Sequence, residues 1–294
     1  MILPEKTSKA CLFFILITLA ANSCMKEKDV IPAEPAGNTA AEKKVPHALS
    51  SHVLNVLALP LFPQHISQRI LDDIEKSDDF FNELLDVYED DPGYWILVDK
   101  NHSLGSAYEP YDLVDVSTGS ALVSNRMLRK AAYDALNEIF SAAADEGLTL
   151  TVLSAYRSYE YQGRTYTYWV VTQGQAEADR ISARPGHSQH QLGLTVDLNM
   201  LDNELALTPE GIWLAANAVR FGWSLSYPDG YEQLTGYSWE SWHHRYVGKR
   251  LTRLKMNYFD GIQQYMLVFI HELYEDLRNT GSRLPLTSSV VSRS

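Results

Sequence analysis

Arg184-Pro-Gly-His-Ser-Gln-His-Gln-Leu-Gly-Leu-Thr-Val-Asp-Leu-Asn199 is the stretch around which the fold is organised, and its counterpart is Tyr237-Ser-Trp-Glu-Ser-Trp-His-His-Arg-Tyr-Val-Gly248. The first stretch contributes His190 and Asp197, and the second contributes His243. Two imidazoles and one carboxylate on a divalent metal leave a coordination position open for water, which is the pattern of catalytic rather than structural zinc sites. The two stretches together therefore predict a catalytic metal centre.

Glu240 stands three residues before His243. A carboxylate beside a metal-activated water is the general base that a hydrolase needs. The alternative for Glu240 is a solvent-facing position on a loop. Taken with the three ligands, this spacing favours a metal-dependent hydrolase.

The segment 192–199 alternates large apolar residues with small or polar ones, which predicts a strand. His190 and Asp197 are too far apart to share one helical turn, unlike the i, i+4 histidines of a helical zinc motif. A histidine on a loop and an aspartate on the following strand can reach one ion if the loop folds back at Gly193. Asp197 and Thr195 then share the face of the strand that borders the cleft.

Composition excludes several classes of function. The chain has 294 residues, of which 45% are apolar and 21% charged, as expected of a globular protein with a sizeable core. A net charge of -12 argues against a nucleic-acid partner, because such binding needs a basic face. Its 2 cysteines are Cys11 and Cys24, so the segment after residue 24 has no thiolate nucleophile, thiolate ligand or internal disulfide.

Residues 1–24 have the pattern of a signal sequence, with two lysines before an apolar run at 11–21 that is too short to span a bilayer. The ending Ala21-Asn-Ser-Cys24 resembles a bacterial lipoprotein cleavage site, although the usual leucine three residues before the cysteine is absent. Ordinary signal cleavage nearby is the alternative. We expect a secreted protein, anchored to the membrane through a lipid on Cys24 and facing the periplasm or cell wall.

The remaining chain divides by composition. We expect a flexible linker at 25–50, a helical N-terminal extension at 51–92 with two short helices, a catalytic domain at 93–280 and a polar tail at 281–294. Within the catalytic domain, strands are predicted at 94–98, 148–153, 192–199, 223–227 and 242–247, and helices at 124–146, 158–174, 249–258, 261–277 and after Thr208. Because these elements mix without regular βαβ alternation, they predict an α+β fold, with helices packed on a mainly antiparallel sheet.

The motifs Ser188-x-His190-x-x-Gly193-x-Thr195-x-Asp197 and Glu240-x-Trp242-His243 resemble the D-alanyl-D-alanine carboxypeptidases of the VanY type. These are zinc peptidases of the peptidoglycan-trimming group, which shares its fold with the hedgehog signalling domain. The resemblance covers roughly residues 95–250, about half of the chain. It extends to the segments 97–100, 108–114, 154–162, 183–186 and 235–237.

The resemblance implies one Zn²⁺ per chain and a role for each matched residue. The metal ligands would be His190, Asp197 and His243, and Glu240 would be the proton shuttle. Arg157 would stabilise the oxyanion or anchor the substrate carboxylate, and Ser188 and Gln162 would be hydrogen-bond partners of the terminal carboxylate. Tyr237 and Trp242 would line the cleft. The competing readings are a structural salt bridge for Arg157, loop capping for Ser188 and an exposed helical position for Gln162.

Three residues depart from the family pattern, which usually has alanine at Thr195, proline at Ser241 and an aromatic residue at His244. None is a presumed ligand, but His244 adjoins one and could compete with it. The implied activity is removal of the C-terminal D-alanine from peptidoglycan stem peptides. Alternatives are an L,D-carboxypeptidase, an endopeptidase on stem peptides, and a non-catalytic peptidoglycan-binding lipoprotein; the oligomeric state is not indicated.

Overall fold

The computed structural model describes residues 47–116 and 126–282, in which six short strands form two sheets. The smaller sheet pairs β1 (Leu113–Asp115) with β2 (Met127–Arg129). The strands of the larger sheet are β3 (Val152–Ser154), β4 (Thr195–Leu198), β5 (Trp223–Leu225) and β6 (His243–Tyr246), and they lie in the order β3-β4-β6-β5. Every pairing is antiparallel, which confirms the predicted α+β class.

Helices make up most of the remaining described chain. The α-helices are α1 (His47–Leu57), α2 (Gln64–Lys76), α3 (Asp79–Val87), α4 (Lys130–Asp145), α5 (Tyr159–Gln173), α6 (Gln175–Ile181), α7 (Pro209–Asn217), α8 (Glu232–Thr235), α9 (Lys249–Tyr258) and α10 (Gln263–Asn279). Short 3-10 helices occupy Pro92–Trp95, Gln189–Leu192, Asn203–Leu207 and Ala218–Phe221. Across the two described ranges, no helix combines the length and apolar character that a bilayer crossing requires.

The predicted strand at 94–98 is wrong. Pro92–Trp95 forms a 3-10 helix, which the Asp91 carboxylate begins by accepting a hydrogen bond from the Gly93 N–H. The carbonyls of Tyr94 and Ile96 both accept from Nη2 of Arg245. A buried guanidinium therefore satisfies backbone acceptors that a neighbouring strand would otherwise have to satisfy.

Some other predicted helices differ in number or in their first residue, and some predicted segments lie outside the described residues. Three helices, not two, occupy the N-terminal extension, and the helix predicted from Ser124 begins at Lys130. Ser124 itself, the signal sequence with Cys24, most of the linker and the tail from residue 283 lie outside the described residues.

β4 is an inner strand of the larger sheet, and it presents one face to the core and the other to the candidate site. All four of its residues are buried. Val196 and Leu198 join an apolar cluster with Leu128, Leu136 and other residues of α4 and its neighbours. Alternation along a strand turns Asp197 to the opposite face, as the sequence predicted.

Short-range interactions determine the conformation of the turn before β4 and of the start of α5. Gly193 has φ 67, and a Cβ there would lie 2.8 Å from Cδ2 of Leu113, so the turn before β4 requires glycine. Its N–H donates to the His190 carbonyl, which closes the predicted fold-back. At the start of α5, Oγ of Ser158 accepts from the Tyr161 N–H at 3.2 Å and caps the helix.

The N-terminal helices share a core with the end of the chain. Phe80 of α3 is fully buried, and its ring packs edge-on against Tyr258 of α9 and Phe269 of α10 at centroid distances of 4.9 and 5.8 Å. One cluster joins apolar residues of α1, α2, α3, α9 and α10. The helical extension therefore contributes to a core that the C-terminal helices also need, while the domain boundaries at 51, 93 and 280 stay predictions.

Phe80→Ala should lower the free energy of unfolding by about 3–5 kcal/mol, because it removes a buried ring and leaves a cavity. Chemical denaturation followed by far-ultraviolet circular dichroism measures this change. Leu54→Ala on α1 is the control: its side chain is 49% exposed, so its effect should stay within about 0.5 kcal/mol. A small loss for Phe80→Ala would mean that the extension is dispensable for stability.

Candidate active site

Antiparallel pairing brings the predicted metal ligands together. The register of β4 and β6 sets Asp197 opposite His243, and the 3-10 turn before β4 supplies His190. Nε2 of His190 lies 3.3 Å from Oδ2 of Asp197, and Nδ1 of His243 lies 3.3 Å from Oδ1. The imidazole rings are perpendicular, with centroids 4.9 Å apart. All three side chains are buried.

These three residues fit a zinc ion. Within the described chain they form the one group of its kind, with a ligand atom from each within 4.8 Å of the others. Two ligands about 2.05 Å from a tetrahedral zinc stand roughly 3.3 Å from each other, which matches both nitrogen–oxygen distances. Nε2 of His190 and Oδ1 of Asp197 are buried and have no hydrogen-bond partner among the described residues, so a bound cation would satisfy them.

The protonation states of His190 and Asp197 favour metal binding. Burial, followed by the charge of Arg157, lowers the pKa of His190 to about 4, so the imidazole is neutral at pH 7 and can ligate. Its Nδ1 donates to the Ala155 carbonyl at 2.6 Å, which leaves Nε2 to face the site. Burial alone would raise the pKa of Asp197, but His190, His243 and Arg157 hold it well below its usual value.

Glu240 lies beside the ligand group rather than in it. Its Oε2 is 3.3 Å from Nδ1 of His243, and its side chain is only 12% exposed. Burial raises the pKa of the Glu240 carboxyl, which suits a residue that must take up and release a proton near neutral pH. Burial alone would lower the pKa of His243, but the carboxylates of Asp197 and Glu240, each with an oxygen 3.3 Å from its Nδ1, raise it. A cation at the site would displace that proton.

Arg157 reaches the ligand group from the segment between β3 and α5. Its Nη2 donates to Oδ2 of Asp197 at 3.2 Å and its Nη1 donates to Oε1 of Gln162 at 3.0 Å. The side chain is 19% exposed, so part of the guanidinium still faces the cleft. The structural salt bridge that was the alternative for Arg157 therefore exists, but its partner Asp197 is a predicted metal ligand, so the contact holds the guanidinium within the candidate site.

Gln162 and Ser188 are both buried and both line the cleft. Nε2 of Gln162 donates to the Ala183 carbonyl at 2.7 Å, while Oε1 accepts from Arg157. Its amide is thus engaged on both sides and positions Arg157; a contact with substrate stays a prediction. Oγ of Ser188 accepts from the His190 N–H at 3.3 Å, so the hydroxyl caps the turn and can also donate into the cleft.

Tyr237 and Trp242 line the cleft as the sequence predicted. The Tyr237 ring packs against Tyr227 at 4.7 Å, and Nζ of Lys100 lies 3.5 Å from its centroid. Sequence reasoning missed Tyr227, whose ring is 4.7 Å from that of His243. The one indication in the sequence was that Tyr227 ends a predicted strand. The residues next to it do not show which ring it will contact.

His244 and His187 adjoin predicted ligands, but neither belongs to the candidate metal group. His244 pairs with Val196 across β4 and β6, and alternation turns it away from His243. Its Nδ1 interacts with the Trp242 carbonyl at 3.2 Å, and burial lowers its pKa to about 4. Nδ1 of His187 interacts with the Asp99 carbonyl at 2.7 Å.

The site opens into a cleft of about 690 Å³. The candidate ligand group, Glu240 and Arg157 all line this cleft. Other lining residues come from α5, from the segment after it, and from positions in or next to β3, β4 and β6. A cavity of this volume accommodates a ligand well above the size of a single amino acid.

Comparisons with known proteins agree with this geometry. Residues 125–249 match the family model described as VanY, D-alanyl-D-alanine carboxypeptidase. The protein of Bacillus subtilis that bears the name "Putative carboxypeptidase YodJ" is 35% identical over 198 residues, which cover 64% of this chain and 71% of YodJ. This chain belongs to the VanY family. It is therefore a peptide hydrolase of the carboxypeptidase type, as the sequence resemblance implied.

Other VanY-family relatives extend the comparison. A D-alanyl-D-alanine carboxypeptidase of Enterococcus faecalis is 34% identical over 165 residues, 52% of this chain and 58% of that enzyme. The solved LD-carboxypeptidase LdcB shares 33% identity with a TM-score of 0.53, over 61% of this chain and 85% of LdcB. A VanY D,D-pentapeptidase solved in complex with Zn(II) shares 29% identity with a TM-score of 0.50, over 60% of this chain and 99% of that one.

Proposed function

We propose that this protein is a zinc-dependent D-alanyl-D-alanine carboxypeptidase that removes the C-terminal D-alanine of peptidoglycan stem peptides. The observation that carries the proposal is the convergence of His190, Asp197 and His243 within 4.8 Å, with Glu240 at 3.3 Å from the last ligand. The family match and the D-alanyl-D-alanine activity named for the E. faecalis relative support this substrate class.

His190, Asp197 and His243 would hold one Zn²⁺ per chain. When bound, zinc supplies Lewis acidity that lowers the pKa of a water toward ~7 and polarises a carbonyl group. The Glu240 carboxylate accepts the proton of the attacking water and then delivers a proton to the amine that leaves. Arg157 presents its guanidinium, held by Asp197 and Gln162, to the charge that develops on the carbonyl oxygen. Ser188 donates to the carboxylate of the terminal residue, and Tyr237 and Trp242 enclose it.

The intact base argues against a purely binding protein. Binding of a wall peptide does not require a buried carboxylate with a raised pKa beside three ligands, whereas hydrolysis does. The non-catalytic lipoprotein is therefore the weaker reading.

A second specificity, the L,D bond of a tetrapeptide, is favoured by one observation. LdcB, an LD-carboxypeptidase, is similar to this chain over 85% of its own length. The same ligands and base would serve both reactions, since the chirality of the residue before the cut is read by the pocket and not by the metal. Endopeptidase cleavage has no comparable support.

The test is incubation of the zinc-loaded protein with a pentapeptide stem ending in D-Ala-D-Ala and with the matching tetrapeptide, followed by mass analysis of the products. We expect loss of one alanine from the pentapeptide and abolition of this loss by a chelator. Loss from the tetrapeptide alone would move the assignment to the L,D bond. Absence of product from both peptides, with zinc stoichiometrically bound, would overturn the proposed function.

We also propose export across the cytoplasmic membrane and lipid attachment at Cys24. Support comes from the pattern of residues 1–24, in which an apolar run precedes Ala21-Asn-Ser-Cys24. Cells that express the full chain should incorporate a labelled fatty acid into it, and Cys24→Ala should abolish the label. A secreted, unlabelled wild-type protein would support ordinary signal cleavage instead.

A further inference from the structure

The cleft continues along α5 well beyond the residues that the reaction needs. Tyr161, Thr165 and Trp169 all line it. They are spaced four residues apart, so they follow one face of the helix. Tyr161 is 51% exposed although it is a large aromatic residue. An aromatic face that a folded protein leaves open beside a site is typical of a binding surface.

The length of this face can be read from helix geometry. Gln162, which contacts Arg157, marks the inner end of α5 at the site. Trp169 follows it by seven residues, which corresponds to about 10 Å along the helix axis. An extended peptide advances about 3.3 Å per residue, so the wall is roughly three residues long.

The reaction decides which part of a substrate can occupy this wall. This inference rests on the proposed function. A carboxypeptidase releases a single terminal residue, so any longer part of the substrate lies on the acyl side of the bond that is cut. We propose that the α5 face from Tyr161 to Trp169 forms a subsite for the peptide segment on the acyl side, and that this segment reaches Trp169 about three residues from the scissile bond.

The chemistry of the wall defines what it recognises. The three side chains are uncharged, and their polar groups are the hydroxyls of Tyr161 and Thr165 and the indole N–H of Trp169. The Thr165 hydroxyl already donates to the Tyr161 carbonyl at 3.2 Å, so the two rings are left to contact the aliphatic parts of an extended stem peptide. The Trp169 ring is steadied by an edge-on contact with Tyr168 at 5.1 Å. The wall should therefore select substrates by length, and a terminal dipeptide cannot reach Trp169.

Trp169→Ala should lower kcat/KM for a pentapeptide stem ending in D-Ala-D-Ala by about tenfold, and leave kcat/KM for N-acetyl-D-Ala-D-Ala unchanged. Trp169→Phe should restore much of the loss, since a ring remains. Val171→Ala, a substitution of an α5 side chain that is 79% exposed and does not line the cleft, should change neither value. An equal loss on both peptides would overturn the proposal, because Trp169 would then support the site as a whole.

A binding measurement separates this proposal from the proposed function. In a Glu240→Gln background, calorimetry should show that Trp169→Ala weakens binding of the pentapeptide about tenfold and leaves binding of the short peptide unchanged. That result would uphold the subsite even if the wild-type chain hydrolysed neither peptide. If the Glu240→Gln protein binds the pentapeptide with the same affinity with and without Trp169→Ala, the subsite is ruled out.

Discussion

Glu240→Gln is expected to reduce kcat by about 10²–10⁴-fold on the pentapeptide while the protein keeps its zinc. The carboxamide has nearly the shape of the carboxylate but cannot accept the proton of the attacking water. Zinc content should not change, because Glu240 lies outside the group of three ligands. Steady-state kinetics and metal analysis of the same preparation measure both effects.

Glu232→Gln is the matched control for this substitution. Glu232 lies on α8, shortly before Glu240 in the chain, and its carboxylate pairs with Arg180 at the surface. It does not line the cleft, so kcat should stay within twofold of the wild-type value, roughly what a surface change of a few tenths of a kcal/mol permits. Full activity of Glu240→Gln would remove Glu240 from the mechanism, and loss of zinc would reassign it as a support for His243.

Arg157→Ala is expected to lower kcat/KM by about 10²–10³-fold, the usual cost of removing one donor from a developing oxyanion. The guanidinium is positioned for this role by two hydrogen bonds, to Asp197 at 3.2 Å and to Gln162 at 3.0 Å. Arg157→Lys should recover little, because a single ammonium cannot reproduce the planar fork that bridges both partners.

The division of the Arg157 effect between kcat and KM identifies its role. A loss confined to kcat indicates contact with the oxyanion, whereas a rise in KM alone indicates a grip on the ground-state carboxylate. Arg180→Ala is the control, since that guanidinium pairs with Glu177 and Glu232 and does not line the cleft. Unchanged kcat and KM for Arg157→Ala would leave the residue with a purely structural salt bridge.

Features that depend on neighbouring residues could be predicted from the sequence. The alternation of 192–199 predicted which face of β4 would carry Asp197. The helix predicted after Thr208 is α7, whose start the Thr208 hydroxyl caps by accepting from the Gly211 N–H, with Pro209 in the first turn. These outcomes follow because strand period and helix caps are decided within a few residues of the chain.

Contacts between distant segments were decided by the tertiary structure. The sequence indicated Gln162 as a candidate substrate ligand, which stays a prediction, but only the tertiary structure shows that its amide also contacts Ser182, Ala183 and Arg157. The apolar run at 94–98 predicted a strand, but in the tertiary structure the guanidinium of Arg245 donates to two of its carbonyl groups.

In the site and in the core as well, neighbouring residues determine the local features, whereas the tertiary structure determines the contacts between distant segments. The candidate ligands, their order and the candidate base could be proposed from the sequence, because metal chemistry restricts which side chains can serve. Their convergence required β4 to pair with β6 in the register that sets Asp197 opposite His243. Packing of α1–α3 onto α9 and α10 likewise joined the two ends of the described chain. Local pattern determines which face of an element is apolar, but the partner that covers it is chosen only when the whole chain buries its surface together.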